Sequence, residues 1–564
     1  MLPPSRATEF RFGGRRRRSE EGPLLRRVAT ELLVNQVGFD IGAPKLIVVQ
    51  AEEDLGGERG RLQLIDEHGM LRYEADLDCL GAFERWGKHY WRGDFSGFNR
   101  AGEYELRARV GEREAGSVRV FIGPARMARE TLALAASFYY YQRCGVEVPG
   151  WHGPCHMDDA RLPDGSHLDA VGGWHDAGDY NKYNGYTPLS VFALARAARA
   201  ALRSTSSDLL RRWPLTPAPP PREEAAWGGA WMAKMQDAKT GFLRGDVFSG
   251  YGWWGPPENE TDNRPGNDDD RPVRGEPSAG HQAGVAMLAF AALAAVRPGE
   301  QQWIECAQRL DDAAAGAELP VMQQAAAMLA HLDWPHAPET RVEKAQRLAR
   351  DVLAGQRGDG SFDDPAIVDE GFAAAALAEF ALRRPEDPLA AEIAAALVKY
   401  LELGVARSNN PFRILRWDAR NIFYPYPESQ AWYVGQNSAY LSQAWALLLA
   451  AKVFDRSPDQ STRISAAPAR ELAWAQINWV LGCNPFGVCM LEGAGWFNPP
   501  RYHHRYDSIP EHERGAVPGA VCNGIVRQSP ERDAPRFDLV GNDYQSNEPW
   551  LPHNAYYLLA VMEL

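Results

Sequence analysis

From about residue 30 to 122 the apolar positions fall in short runs rich in β-branched and aromatic residues: LLVNQVGF, KLIVVQAE, RLQLIDEHG, HYWRGDFSG, GEYELRARVG and GSVRVFIG. Gly, Asp and Asn punctuate them, which is the pattern of strands and turns. Several strands at this spacing predict a β-sandwich of immunoglobulin type. After Pro124 the texture changes to long Ala/Leu-rich segments, among them TPLSVFALARAARAALRS, SAGHQAGVAMLAFAALAAV, GFAAAALAEFALRR and PHNAYYLLAVM. Their length and composition predict helices. Several are apolar nearly all round, so they should be covered on both sides. About a dozen such helices with no strands between them predict a helical toroid, an inner ring wrapped by an outer one. The expected organisation is a disordered tail over 1–28, the sandwich over 29–123 and the helical domain over 124–564.

Two irregular stretches interrupt the helices. WPLTPAPPPREE (213–224) reads as a surface excursion. The stretch from Gly241 to Glu276 holds Tyr251, Trp253, Trp254 and the acidic run Asp268–Asp270. Loops this long in a compact domain are usually functional or disordered, and the aromatics favour a cleft wall. The acidic run is read as a solvated charged surface in preference to a calcium site.

Composition narrows the function. Among 564 residues, 61 Lys and Arg face 74 Asp and Glu, a net charge of −13. Such a chain gains no electrostatic help with nucleic acid. No run of about 18 apolar residues occurs, so no membrane-spanning helix is expected. Eighteen Trp suit a core and also the recognition of flat apolar surfaces such as sugars. Seven cysteines, an odd number spread over a long chain, are not a disulfide framework. They fit a reducing compartment. The basic run Arg15–Arg18 has no apolar segment behind it and is not a secretory signal. The expectation is a cytoplasmic protein, or a secreted one if its start is incomplete.

Three segments carry chemistry. Gly172 to Tyr183 reads GGWHDAGDYNKY, where Asp176 and Asp179 flank small residues that allow a tight turn. Two carboxylates so placed can hold and deprotonate one water. On spacing alone, an Asp/Gly turn accounts for them better. Asn542 to Ala555 reads NDYQSNEPWLPHNA, with Glu548 close to Trp550. A carboxyl beside a bulky aromatic can have its pKa raised, as a general acid requires; the alternative is a helix N-terminal acid. Asn498 to Arg505, NPPRYHHR, supplies polar donors on a Pro-rich loop.

In this order the segments resemble glycoside hydrolase family 9, the inverting cellulases, over residues about 30 to 564. The family's Asp-Ala-Gly-Asp stands as Asp176 to Asp179, its Pro-Pro…His-x-Arg as Pro499 to Arg505, and its Asn-Glu as Asn547-Glu548. Gly482-Cys483-Asn484-Pro485 looks like the motif preceding the histidine loop. Val34-Asn35-Gln36-Val37-Gly38 resembles the start of an N-terminal immunoglobulin-like domain found in one branch. The resemblance implies an (α/α)6 barrel with Asp179 as general base, Asp176 holding the water and Glu548 as general acid. It also implies sugar contacts from His503, Arg505, Tyr544 and His553. Inversion needs acid and base on opposite faces of the sugar, about 6.5–9.5 Å apart. The same branch implies a structural zinc on Cys144, Cys155, His156 and His175, a full tetrahedral set. Calcium is implied as well, with no ligands assigned. His553 departs from the pattern, standing where the family has tyrosine.

The first functional reading is therefore an inverting β-1,4-glycanase acting on cellulose-like glucans or cello-oligosaccharides. A second is an exo-β-glucosaminidase on the same scaffold, with Asp543 as a contributor of negative charge toward an amino sugar. A third, a carbohydrate-binding protein without catalysis, is disfavoured because Asp176, Asp179 and Glu548 are all present. No protein partner is evident from the chain.

Overall fold

In the computed structural model, the described residues are 30–55, 59–203, 218–279, 282–363, 365–425, 433–456, 465–507 and 515–564. The tail expected over 1–28, with Arg15–Arg18, and the first half of the Pro-rich excursion lie outside them.

The strand-like runs become β1 Thr30–Leu33, β2 Phe39–Asp40, β3 Leu46–Ala51, β4 Gly60–Ile65, β5 Leu71–Phe83, β6 Lys88–Asp94, β7 Gly102–Val110 and β8 Arg113–Gly123. They hydrogen-bond in the order β1-β3-β6-β5-β4-β7-β8-β2. All pairs are antiparallel except β2 with β8. Their sequences explain which faces are covered. In β4 and β7, Leu62, Leu64, Leu106 and Ala108 alternate with more exposed residues and enter the sandwich core. In β3 the apolar run is continuous because both faces are buried: Ile47 and Val49 enter the sandwich core, while Val48 between them enters the helical core. Tyr90 and Trp91 of β6 divide in the same way. Each branched aliphatic buried like this stabilises by about 1.5–3 kcal/mol.

The two regions also share specific polar contacts. Asn35 Nδ2 donates to Asn478 Oδ1 at 2.9 Å, and Trp86 stacks on Phe423 with centroids 5.9 Å apart. Gln36 Oε1 accepts from the backbone N–H groups of Trp496 and Phe497, both at 3.0 Å. The β region therefore braces the loop that leads into Asn498–Arg505.

The helices are α1 Arg126–Tyr141, α2 Thr187–Arg203, α3 Pro221–Met235, α4 Ala283–Val296, α5 Gln301–Ala313, α6 Val321–Asp333 and α7 Glu339–Ala354. Next come α8 Phe372–Arg383, α9 Leu389–Arg407, α10 Asn437–Asp455, α11 Ala467–Val480, the one-turn α12 Tyr544–Asn547 and α13 Leu551–Val561. Helices α2, α4, α6, α8, α10 and α13 touch in succession, and α13 returns to α2. That closes an inner ring of six. Helices α1, α3, α5, α7, α9 and α11 pack outside it, giving the (α/α)6 barrel.

Sequence texture follows position in the ring. Inner α4, AGVAMLAFAALAAV, is buried almost all round. Outer α7 buries one stripe, Val342, Ala345, Ala349 and Val352, at helical spacing. Small residues let inner helices approach closely; a Cβ on Gly284 would stand 1.9 Å from the Gln323 carbonyl oxygen. No described helix is long and apolar enough to cross a membrane.

Candidate active site

A cleft of about 640 Å³ opens where α2, α10 and α13 begin. Asp176, Asp179 and Glu548 line it together with Tyr183, Tyr186, Tyr251, Trp254, His503, Asn523, Tyr544 and Trp550. Segments far apart in sequence meet here because backbone hydrogen bonds stitch them. Ala177 and Trp550 form an antiparallel bridge, and Leu551 N–H donates to the Asp176 carbonyl at 3.0 Å. His503 N–H donates to the Asn547 carbonyl, and Arg505 N–H to the Gly178 carbonyl. Gly178 is required by this approach: a Cβ there would lie 1.9 Å from the His503 carbonyl oxygen.

The three carboxylates sit in different surroundings. Asp179 accepts from Asn181 N–H at 3.1 Å, Asn181 Nδ2 at 2.9 Å and Tyr183 Oη at 3.2 Å. Donors of this kind fix the orientation of the carboxylate. Asp176 accepts from Trp550 Nε1 at 2.6 Å through Oδ2, while Oδ1 is buried with no hydrogen-bond partner. Burial pushes the Asp176 carboxyl well above the usual range, and the Asp179 charge adds to it. Burial likewise pushes Glu548 well above the usual range. The charges of Asp179 and Asp176 raise it further, against a smaller opposing pull from the Gly178 and Asp179 amides. The cleft thus pairs an oriented hydrogen-bond acceptor with a carboxyl group biased toward keeping its proton.

Tyr183 was not singled out from the sequence, although it stands within the Gly172–Tyr183 segment. Losing one hydrogen bond to a charged group costs about 1.5–3 kcal/mol. Tyr183→Phe is therefore expected to lower kcat roughly 10- to 100-fold with little change in thermal stability, measured by steady-state kinetics beside a melting curve.

The expected sugar contacts divide. His503 and Tyr544 line the cleft. His503 Nδ1 lies 2.9 Å from the Asn542 carbonyl, which can only accept, so Nδ1 carries the proton and Nε2 is left as an acceptor. Burial lowers the His503 pKa, which keeps the ring neutral. Trp254 packs on it with centroids 4.7 Å apart. Arg505 lies elsewhere: its side chain is buried and both terminal nitrogens turn to Glu260. His553 is also fully buried and touches residues of the cleft wall from behind: its Nε2 is 2.8 Å from Asn523 Oδ1, and its ring packs edge-on against Trp550 with centroids 5.4 Å apart. Burial pushes the His553 pKa down to about 3. Asp543 is held by Arg536 at 2.7 Å and caps α12 by accepting from Gln545 N–H.

Behind the cleft, Cys144, Cys155, His156 and His175 come together, with ligand atoms all within 4.8 Å of one another and all four residues buried. Cys144 Sγ is 3.5 Å from His156 Nδ1, and Cys155 Sγ is 3.6 Å from His175 Nε2. Outside this cluster, His156 Nε2 pairs with Glu260 at 2.8 Å. A ring with one nitrogen toward two thiols and the other on a carboxylate is how a metal-bound histidine is held. The donor set fits a metal ion. Glu260 is the hub that residue types did not reveal: it joins His156 to Arg505 and also accepts from Ser249 Oγ. Despite burial, the His156 bond and the Arg271 and Arg505 charges hold its carboxyl well below the usual range.

A closed double ring of helices thus carries acidic groups among aromatics at one mouth. A family model described as Glycosyl hydrolase family 9 matches residues 129–317 and 362–561, and one described as Cellulase N-terminal ig-like domain matches residues 27–113. The chain belongs to glycosyl hydrolase family 9 and carries the immunoglobulin-like domain at its N-terminal side. It is 31% identical over 178 residues to a cellodextrinase of Butyrivibrio fibrisolvens, a stretch covering 30% of each chain. It is 30% identical over 187 residues to endoglucanase D of Acetivibrio thermocellus, covering 30% of this chain and 29% of that one. The match thus spans under a third of these relatives. Among solved structures, a metagenome-derived glycoside hydrolase family 9 endoglucanase superposes with a TM-score of 0.69 at 22% identity, covering 94% of this chain and 98% of that one.

Proposed function

We propose that the protein is an inverting glycoside hydrolase that cleaves β-1,4 bonds of cellulose-like glucans or cello-oligosaccharides. The observation that carries this reading is the contrast within one cleft between Asp179, held by three donors, and Glu548, whose proton is retained by burial and neighbouring charge. Glu548 protonates the leaving glycosidic oxygen. Asp179 takes a proton from water, which then attacks the anomeric carbon from the opposite face. Asp176, with one free oxygen, orients that water. The cleft aromatics stack on sugar rings, and His503 Nε2 accepts from a sugar hydroxyl. The names of the two sequence relatives support a cello-oligosaccharide or glucan substrate.

The test is a product profile on matched cello-oligosaccharides and glucosamine oligosaccharides, with the anomer of the first product read by NMR. Cleavage of the glucose series with initial α-anomer supports the proposal. Cleavage of only the amino-sugar series, or initial β-anomer, overturns it. The glucosaminidase reading is the weaker one, because the charge it sought from Asp543 is engaged by Arg536. Cys79, Cys306, Cys483, Cys489 and Cys522, which stand free outside the cysteine–histidine cluster, support a reducing, cytoplasmic setting, where short soluble oligosaccharides are the accessible substrate.

Cys144, Cys155, His156 and His175 would hold zinc as a closed structural site. Bound there, the ion would supply a cross-link and no catalytic chemistry. His175 directly precedes Asp176, so the cluster secures the loop carrying the base. Removing the metal is expected to lower Tm by several degrees while the initial rate at low temperature changes much less, checked by melting curves and elemental analysis. A rate lost in proportion to zinc, with Tm unchanged, would contradict a structural role.

A further inference from the structure

Between α12 and α13 the chain passes through Glu548. The segment 522–524 runs beside it. Cys522 forms an antiparallel bridge with Pro549, Asn523 N–H donates to the Glu548 carbonyl at 2.9 Å, and Gly524 N–H donates to the Ser546 carbonyl at 2.9 Å. Asn523 adds a side-chain bond, its Nδ2 donating to the Tyr544 carbonyl at 2.8 Å. One residue of the cleft wall therefore grips the Glu548 segment at both Tyr544 and Glu548.

Partners dictate how the Asn523 amide is turned. The Tyr544 carbonyl can only accept, so the amide nitrogen faces it and the amide oxygen faces the other way. There the oxygen meets His553 Nε2 at 2.8 Å. An amide oxygen also only accepts, so Nε2 carries the proton of His553. The ring is fully buried on α13, and its Nδ1 has no hydrogen-bond partner among the described residues. A buried polar atom left bare is costly, and an apolar side chain at this position would avoid the cost. The one hydrogen bond the ring does make goes to the amide that grips the Glu548 segment.

We propose that His553 is a positioning residue for Glu548 and acts through Asn523. This rests on the reading of Glu548 as the general acid. The bonds run from His553 Nε2–H to Asn523 Oδ1, then from the Asn523 side chain and backbone N–H groups to the carbonyls of Tyr544 and Glu548. Without the His553 proton the Asn523 amide is free to rotate away from Tyr544. The acid then loses its fixed distance from the leaving oxygen, and proton transfer depends steeply on that distance. His553 has a second contact, its ring against Trp550, whose Nε1 donates to Asp176. The two routes predict different kinetics, because only the first passes through the acid.

The test compares His553→Met, His553→Gln, Asn523→Ala and the His553→Met/Asn523→Ala double variant with wild type and Glu548→Gln. Each is assayed on a cello-oligosaccharide and on an aryl cellobioside whose leaving group needs no protonation, with melting curves to confirm folding. His553→Met and Asn523→Ala should each lower kcat on the oligosaccharide by about 10- to 100-fold, with KM changed much less. The aryl cellobioside should recover most of that loss, as it does for Glu548→Gln. His553→Gln, which can present a donor near the place of Nε2, should regain most of the kcat lost in His553→Met. The double variant should fall no further than the slower single one, as expected of residues in one chain of contacts. Asn523→Ala keeps its backbone bonds and carries the same comparison if His553→Met does not fold. A loss that persists on the aryl cellobioside while Glu548→Gln is rescued places the damage at Trp550 and Asp176 and overturns the proposal. So does a His553→Gln variant as slow as His553→Met. Failure of the aryl cellobioside to rescue Glu548→Gln itself would remove the acid assignment, and the positioning role with it.

Discussion

Glu548→Gln is expected to lower kcat on cello-oligosaccharides by about 10²–10⁴-fold, the range for losing a general acid. The protein should remain folded and, near neutral pH, be at least as stable as the wild type. The sign follows from linkage. A carboxyl whose folded pKa is raised binds protons more tightly when folded, so folding stability falls as pH rises from the unfolded pKa through the folded one. Glutamine has no such proton to lose and escapes that fall. Two further readouts separate an acid from a binding residue. The alkaline limb of the wild-type pH–rate profile, where Glu548 loses its proton, should disappear in the variant. An aryl cellobioside with a leaving group that needs no protonation should recover much of the lost rate. A folded variant with near-normal turnover of natural substrates would remove Glu548 from the mechanism.

Asp179→Asn should cost a comparable factor, with the opposite chemical rescue. The amide cannot accept the proton of the attacking water, so a better leaving group brings little back. Azide, which attacks without being deprotonated, should restore turnover and yield a glycosyl azide. The hydrogen bonds from Asn181 and Tyr183 make the substitution mild for the fold, because the amide oxygen keeps part of that network. Failure of azide to rescue a folded variant, together with recovery on the activated leaving group, would exchange the roles of the two carboxylates.

The fold was legible because its texture is consistent at every level. Alternating runs became strands of the sandwich, and segments apolar all round became the inner helices. In β3 the apolar run Ile47-Val48-Val49 is buried on both faces, with the barrel as the second cover. The carboxylates were legible as a motif, and the resemblance assigned each a role; their surroundings were not legible, since the Trp550 donor on Asp176, the Tyr183 donor on Asp179 and the burial of Glu548 arise only where distant segments meet. Arg505 shows how a motif can mislead: its side chain satisfies Glu260 behind the cleft, and charge alone cannot tell a buried ion pair from a ligand contact. Glu260 was silent for the same reason. It is an ordinary acid in sequence, and it gains its meaning from a partner about a hundred residues away.

The inner ring is sealed by α13, which packs against α1, α2 and α10. A growing polypeptide therefore presents the loop of Asp176 and Asp179 early and Glu548 only after nearly the whole barrel has been made. Until α13 has left the ribosome, the apolar flanks of α2 and α10 lack their cover, and the nascent chain needs shelter from aggregation. Birth order thus leaves the cleft without Glu548 until the ring has been made, so fragments released before α13 should be sticky and lack a complete cleft.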